Sequence, residues 1–454
     1  MNYALQKIRD VTSGTQYENH LYLVGGVVRD KVMGRPPADD IDIVYEGDAL
    51  ELAEFLYARG AADYRPVTYA RFGTAMVMMN GRTIELVSAR RESYATESRK
   101  PDVEPASLYD DVLRRDFTIN TLLENLHSGE MQDLTELGVA DITAGIIRTP
   151  KDPDTTFYDD PLRMLRAIRF AVRYRFVIEE RTYDAIIQNM HRLDIISRER
   201  IRDEFVKIIL IDKPSYGLKM LKESDLLKQF APELLEMVGV NQPGGHIWDV
   251  WDHTLHVMDA LPSSAHLHLR LAALFHDVGK PSTKTHNGHD KIHFFGHEDV
   301  GNQIARSILD RLRFPRTETT RVAKLVTMHM RIGEYKSDWK ESAVRRLMHD
   351  AGRDTSDLLA LAIADRKGSG PNASIDDLIE LEHRMEQILM NISVYELESP
   401  LDGDEIMQLA GVPPGPEVRR IKQHLVDEII EGRLSPGDKE TASQMVRNLN
   451  GIKI

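Results

Sequence analysis

Apolar positions in the first 150 residues fall into short runs that read as strands: LYLV at 21–24, IDIVY at 41–45, TAMVMM at 74–79 and TIELVS at 83–88. In IDIVY and TIELVS the apolar residues alternate with acidic ones, so one face of each strand enters a core and the other meets solvent or a ligand. From about residue 158 the spacing becomes helical and stays so to the end, with few further β-rich runs. The turn clusters NQPGG (241–245), GSGPN (368–372) and SPLDG (399–403) read as joints between helical units. The pattern predicts an α+β chain: an α/β head over 1–150, an all-α neck over 151–235, a second helical domain over 236–395 and a helical tail over 396–454. No internal repeat interrupts it.

Length supports several domains, since 454 residues exceed what one hydrophobic core holds. With 42% hydrophobic and 29% charged residues, the composition is that of folded protein throughout rather than of linker. There is no 18-residue apolar run, and MNYALQKIRD lacks the basic-then-apolar plan of a signal peptide, so a cytoplasmic protein without membrane contact is expected. The absence of cysteine leaves histidine and carboxylate as the metal ligands. The 72 acidic against 58 basic residues give −14, which argues against indiscriminate coating of nucleic acid. Basic residues are nevertheless dense locally, as in Arg90, Arg91, Arg114 and Arg115, and in Arg163, Arg166, Arg169 and Arg173 at helical spacing.

The segment YLVGGVVRDKVMGRPPADDIDIVYEGD carries the first chemistry. A strand ends at Gly25 and Gly26, whose backbone freedom permits a tight turn close to a phosphate, and VVRD then opens a helix. Asp40 and Asp42 stand at i and i+2 on a strand, so both carboxylates face one side while Ile41 and Ile43 face the core. Carboxylates so placed share a pair of Mg²⁺ ions about 4 Å apart, the arrangement for in-line nucleotidyl transfer. Glu85 is the first candidate for a third carboxylate and Asp116 the second.

In order and spacing, GGVVRD, DID, LRRDFTIN, DDPLRMLRAIRF and SRERIRDEF resemble the class II tRNA nucleotidyltransferase and bacterial poly(A) polymerase family, over roughly residues 20 to 210. The resemblance implies a polymerase β-like head and a nucleotide site that includes Gly25, Gly26 and Arg29. It implies that Arg115, Asp116 and Asn120 contact the ribose, for which their donors and acceptors suit a 2′-hydroxyl. It also implies that Asp160 and Arg163 select the base, with Arg166 and Arg169 as phosphate or base contacts. On one helix Asp160 and Arg163 are i and i+3 and point the same way. A carboxylate accepts from the amino group of cytosine or adenine, whereas uracil and guanine present a carbonyl and leave buried groups unpaired, at about 1–3 kcal/mol each.

Within that family TYARFGTAMVMMNG lacks the basic run of poly(A) polymerases, which favours a tRNA enzyme acting on the acceptor end with CTP and ATP. The stretch from Ser88 to Leu113, with Arg90, Glu92 and Tyr94, retains a loop that enzymes adding only CC typically lack, which disfavours a CC-only activity. An enzyme adding only A keeps all these motifs, so that alternative stays open.

A second constellation comprises His253, His276, Asp277, His297, His329 and Asp365, and resembles the HD phosphohydrolase family. Imidazole and carboxylate ligands suit Ni²⁺, Mn²⁺ or Co²⁺, among other divalent cations, and a bound water that attacks a phosphoester. Lys280 is placed to orient a phosphate. His256, His286, His289 and His293 read as solvated loop or helix residues. The tail segment GVPPGPEV, followed by Arg419, Arg420 and Lys422, also resembles the family and offers a helix N-terminus and basic side chains to an RNA backbone.

Overall fold

The four predicted strands form in the computed structural model, which describes residues 3–36, 40–93, 102–243, 247–287, 291–391 and 398–449. Asp39, Tyr94, Gly244, Gly245 and His289 lie outside the described residues. The chain divides into two units, Met1–Pro232 and Glu233–Ile454.

In the first unit the elements run α1 (Tyr3–Thr12), β1 (Leu21–Val24), α2 (Gly26–Val32), β2 (Ile41–Tyr45), α3 (Ala49–Ala58), β3 (Val67–Tyr69), β4 (Thr74–Met79), β5 (Arg82–Ser88), β6 (Arg90–Ser93), β7 (Asp102–Pro105) and α4 (Leu108–Leu113). Then follow β8 (Leu123–Asn125), β9 (Met131–Gln132), α5 (Gly138–Ala144), β10 (Ile146–Ile147), α6 (Pro153–Asp159), α7 (Leu162–Tyr174), β11 (Val177–Ile178), α8 (Glu180–Asn189), α9 (Arg198–Ile209) and α10 (Ser215–Glu223). One sheet has the order β3-β4-β5-β2-β1-β8-β9. Its β2–β5 pair is parallel and its other pairs are antiparallel. A parallel pair needs a crossover, and α3 supplies it, its start fixed by Asp48 accepting from Leu50 N at 2.8 Å. Leu52 and Leu56 of α3 are buried with Ile43, Ile84 and Leu86 of the sheet.

The helix α7 explains why the arginine-rich stretch is not simply solvated. Its sequence LRMLRAIRFAVRY interleaves Met164, Leu165, Ile168 and Phe170 with arginines, and the apolar residues are buried. Arg163 and Arg169 are buried with them.

Among the described residues the second unit is helical apart from one strand pair. Its elements are α11 (Val250–Ala260), α12 (Leu267–Phe275), α13 (Lys280–Thr283), β12 (Thr285–Asn287), β13 (Lys291–His293), α14 (His297–Arg311), α15 (Arg316–Gly333), α16 (Glu341–Ala351), α17 (Thr355–Gly368) and α18 (Asp376–Asn391). Helices α11, α12, α14, α15 and α17 pack on one another. The tail helices α19 (Gly403–Ala410), α20 (Pro416–Ile430) and α21 (Lys439–Leu449) enclose their own cluster of Leu401, Ile406, Ile421, Leu425, Ile429 and Val446. Among the described residues no helix is long and apolar enough to cross a membrane.

Candidate functional site

Registry in the head sheet decides what Asp42 faces. Val24 stands opposite Asp42 on β1 and Glu85 stands beside it on β5, so the three share one face. That face also carries an apolar cluster of Val24, Val44, Ala89, Leu108, Val112 and Leu123. Burial first, then the negative charges of Glu85 and Asp40, push the Asp42 carboxyl up to about 6 against the opposing pull of Arg115. Asp40 lies one residue before β2 and is exposed, so of the two aspartates read as strand residues only Asp42 is one. Glu85 and Asp40 thus both disfavour the charge on Asp42, the effect of acidic groups near one point.

The turn after β1 opens space in front of them. Gly25 has φ 74°, a left-handed conformation that favours glycine, and a Cβ there would lie 3.5 Å from Asp42 Oδ2 and 3.8 Å from Arg115 Nη1. The missing side chain therefore leaves a gap bounded by an acid and a base. Arg115 donates through Nη2 to Asp111 Oδ2 at 2.8 Å, while its Nε is buried with no hydrogen-bond partner among the described residues.

Asp111 is fully buried and also receives Arg114 Nε and Nη2 at 2.9 and 2.6 Å. Burial alone would raise its carboxyl, but the two guanidinium groups hold it below the ordinary value. Sequence reasoning missed Asp111, although its spacing of i+3 and i+4 to Arg114 and Arg115 was the available signal.

Asp116, Asn120, Arg29 and Arg166 form one chain of hydrogen bonds. Asp116 Oδ1 accepts from Asn120 Nδ2 at 2.8 Å and from Phe117 N at 2.9 Å, and its Oδ2 accepts from Arg166 Nε at 2.8 Å. Asn120 Oδ1 in turn accepts from Arg29 Nη1 at 2.6 Å. Arg29 donates to Asp30 as well, and its guanidinium lies 4.8 Å from the Tyr174 ring centroid. Burial works to raise the Asp116 carboxyl, but Arg166 and Asn120 outweigh it and bring it down to about 2.

The base-selecting pair departs from expectation. Asp160 is not on a helix with Arg163; it is the extended residue between α6 and α7. Pro161 follows it, and the residue before a proline is driven out of the helical region. Asp160 Oδ2 stands 3.5 Å from Arg200 Nη2, while Arg163 donates through Nη2 to Arg114 O at 2.6 Å and keeps Nη1 buried without a partner among the described residues. Arg169 donates through Nε to Glu204 at 2.6 Å, an ion pair between α7 and α9.

The histidine constellation of the second unit is also assembled. Asp277 stands between two groups: its Oδ2 lies 3.2 Å from His276 Nε2 and 3.6 Å from His253 Nε2, and its Oδ1 lies 3.5 and 3.9 Å from Nε2 of His297 and His329. Two metal-sized clusters thus share one carboxylate, His253, His276 and Asp277 on one side and Asp277, His297 and His329 on the other. Asp365 Oδ1 adds a contact of 2.9 Å to His253. Nδ1 of His276, His297 and His329 each lies 2.6–2.8 Å from a backbone carbonyl, to which Nδ1–H donates, so Nε2 of each faces inward, where a deprotonated ring would offer its lone pair to a cation. Inward-facing Nε2 atoms then stand 3.3 Å apart in His253 and His276 and 3.2 Å apart in His297 and His329, an arrangement that fits a shared cation. Burial and the neighbouring His276 lower His329 to about 4, keeping it neutral; burial works to lower His276 too, but Asp277 and Asp365 raise it to about 10. A divalent cation would replace that proton as partner of the two carboxylates.

Gly279 makes this convergence sterically feasible, because a Cβ there would meet His297 O at 2.2 Å and Gly301 N at 2.6 Å. Lys280 Nζ lies 2.6 Å from both Asp277 Oδ2 and Gln242 Oε1. The cluster opens into a cavity of about 890 Å³ lined by Asp277, Lys280, His297, His329 and Asp365, and by Phe294 and Phe295. Of the other histidines, His256 packs on Trp248, and His293 lines the cavity and stacks on Phe295 rather than lying free in solvent.

Three family descriptions match the chain: "Poly A polymerase head domain" over 21–148, "Probable RNA and SrmB- binding site of polymerase A" over 175–237, and "HD domain" over 244–369. A CC-adding tRNA nucleotidyltransferase of Thermus thermophilus is 32% identical over 433 residues, 92% of this chain and 91% of that protein. An A-adding tRNA nucleotidyltransferase of Deinococcus radiodurans is 31% identical over 417 residues, 89% and 90% of the two chains. The fold resembles that of the Bacillus stearothermophilus CCA-adding enzyme in complex with CTP, with TM-score 0.70, 22% identity and coverage of 99% and 98%.

Proposed function

The chain belongs to the tRNA nucleotidyltransferase family, and from that premise we propose that it builds or repairs the 3′-terminal CCA of tRNA with CTP and ATP. The observation that carries the reading is the gap at Gly25, bounded by the Asp42 carboxylate and by Arg115 with its unpaired buried Nε. In this reading residues 1–150 are the catalytic head, 151–235 the nucleotide-selecting neck, 236–395 the HD domain and 396–454 a tail that contacts tRNA. The enzyme works in the cytoplasm on the tRNA acceptor end.

Asp40 and Asp42, with Glu85, would hold Mg²⁺, which supplies charge neutralisation at the reacting phosphate and a more acidic 3′-hydroxyl. The glycine turn admits the triphosphate close to the backbone, and Arg115 donates to it. Asp116 already accepts four hydrogen bonds, from Asn120, Phe117 and twice from Arg166, which fills a carboxylate's capacity. Asp116 therefore orients Asn120, whose second amide hydrogen is directed to the ribose. Asp160 accepts from the amino group of cytosine or adenine, and Arg163 donates from its unpaired Nη1 to a ring acceptor.

A second reading is favoured by a specific observation: two relatives that match over about nine tenths of their length add only part of the sequence, one CC and one A. Transcripts ending before CCA, after C and after CC, each offered labelled CTP or ATP, separate the readings. With both nucleotides present, full CCA synthesis extends all three to the same end; a CC enzyme brings the first two to CC and leaves the third unchanged, and an A enzyme extends only the last. No extension of any transcript would remove the proposal.

For the second unit we propose a phosphohydrolase using Ni²⁺, Mn²⁺ or Co²⁺ held by His253, His276, Asp277, His297, His329 and Asp365. A bound ion supplies an ionised water there. Lys280 orients the phosphate, and the neutral His329 keeps its lone pair for the ion.

A further inference from the structure

Asp111 is a charge in an apolar place. It shares α4 with Leu108 and Val112, which belong to the buried apolar cluster of the head, and its own exposure is 0%. A buried carboxylate is costly unless it is paired, and an apolar side chain would fill such a position without that cost. Nor does the helix need Asp111 as a cap. Asp110 N donates to Ser107 Oγ at 3.2 Å and Ser107 N donates back to the Asp110 carboxylate, so the capping box is complete without it.

Both oxygens of Asp111 are instead taken by arginine. Oδ1 accepts from Arg114 and Oδ2 from Arg115 Nη2, so the carboxylate is held against rotation by both neighbours. A guanidinium is planar, so tying Nη2 fixes the direction of Nη1 as well. Nη1 of Arg115 borders the gap at Gly25, where a Cβ would lie 3.8 Å from it and 3.5 Å from Asp42 Oδ2.

We infer that Asp111 is a positioning residue for the incoming nucleotide: by holding Nη2 of Arg115 it presents Nη1 at the gap before the nucleotide arrives. The inference rests on the nucleotidyltransferase reading and adds to it a residue too deeply buried to touch the substrate. An arginine free to rotate surrenders that freedom when it binds a ligand, whereas one already held does not. The gain therefore falls on nucleotide affinity rather than on the chemical step.

The test uses the full chain with Mg²⁺, a tRNA transcript ending before CCA with CTP, and one ending after CC with ATP. Asp111→Asn, which removes the charge and one acceptor oxygen, should raise KM for the nucleotide about tenfold while kcat stays within about threefold. KM for the transcript should not move. Equilibrium dialysis of labelled CTP and ATP without tRNA should show the same loss of affinity. Added to Arg115→Ala, Asp111→Asn should lower affinity no further, because it acts through Arg115; a carboxylate that only supports the fold would lower it again. Thermal melts check folding, and if Asp111→Asn does not fold, Asp111→Glu carries the same comparisons, since its longer arm displaces Arg115 while keeping the charge paired. Affinity within about twofold of wild type, or a further loss in the Arg115→Ala background, overturns the inference. Nucleotide that binds but extends neither transcript removes the nucleotidyltransferase reading, while the loss of affinity still upholds the role of Asp111.

Discussion

Arg166 closes on Asp116 from the neck helix, placing Nε 2.8 Å from Oδ2, while Asn120 takes the other oxygen at the same distance. Because burial opposes the charge and Arg166 more than compensates, the pair makes stability depend on acid in a defined way. The folded carboxyl, at about 2, lies below its ordinary value, so its contribution is present above the ordinary carboxylate pKa and is lost as pH falls through about 2. The linkage amounts to about 2 kcal/mol at pH 5, with roughly half gone by pH 3. Urea titrations of wild type and Asp116→Asn should show a stability gap that narrows between those values. A gap independent of pH would mean that Asp116 is not ionised in the fold.

Asp42 titrates in the opposite sense. Its carboxyl, raised to about 6, holds a proton below that value, so at subsaturating Mg²⁺ the incorporation rate should fall as pH drops through 6 and recover with added Mg²⁺. Asp42→Ala and Asp40→Ala should abolish incorporation while leaving tRNA binding within a few fold. Near-normal incorporation by either variant would remove the two-metal argument.

Base choice should depend on the residues flanking Pro161. Asp160→Ala and Arg163→Ala are expected to raise UTP or GTP incorporation relative to CTP and ATP by about tenfold, the effect of one buried group no longer rejecting a carbonyl. Equal loss of rate with all four nucleotides would make the junction structural.

Metal stoichiometry checks the shared carboxylate. Elemental analysis after loading with Ni²⁺ should show metal bound in wild type, less in His329→Ala and least in Asp277→Ala, because Asp277 is common to both clusters. CCA synthesis should continue in both variants, and its loss in a folded variant would reveal coupling between the activities.

Gly279→Ala should disturb the same centre without removing a ligand side chain. Both close atoms, His297 O and Gly301 N, belong to backbone, so the added methyl has no side chain to displace. A loss of about 1–3 kcal/mol or more, with weakened metal binding, is expected from thermal melts with and without Mn²⁺.

The local pattern was a sound guide where structure is local. LYLV, IDIVY, TAMVMM and TIELVS are strands, and the histidines gather around Asp277. What periodicity did not carry is pairing between distant segments. Nothing in TIELVS says that it lies parallel to IDIVY, or that Glu85 falls beside Asp42. The same limit hid Glu204 as partner of Arg169 and Arg200 as neighbour of Asp160, since these pairs join separate helices. Asp160 was misplaced for a local reason, the exclusion of helical backbone before Pro161.

The register of β2 against β1 and β5 also acts as a fidelity device. Side chains alternate along a strand, so a slip of one residue would turn Asp42 inward and Ile41 and Ile43 outward at the same time. A misaligned head would therefore expose apolar surface and bury a charge, which is what proteolysis and chaperones detect. A molecule in which Asp42 misses Glu85 would thus be one whose core also fails to pack, so a sound core and a working site depend on the same registry.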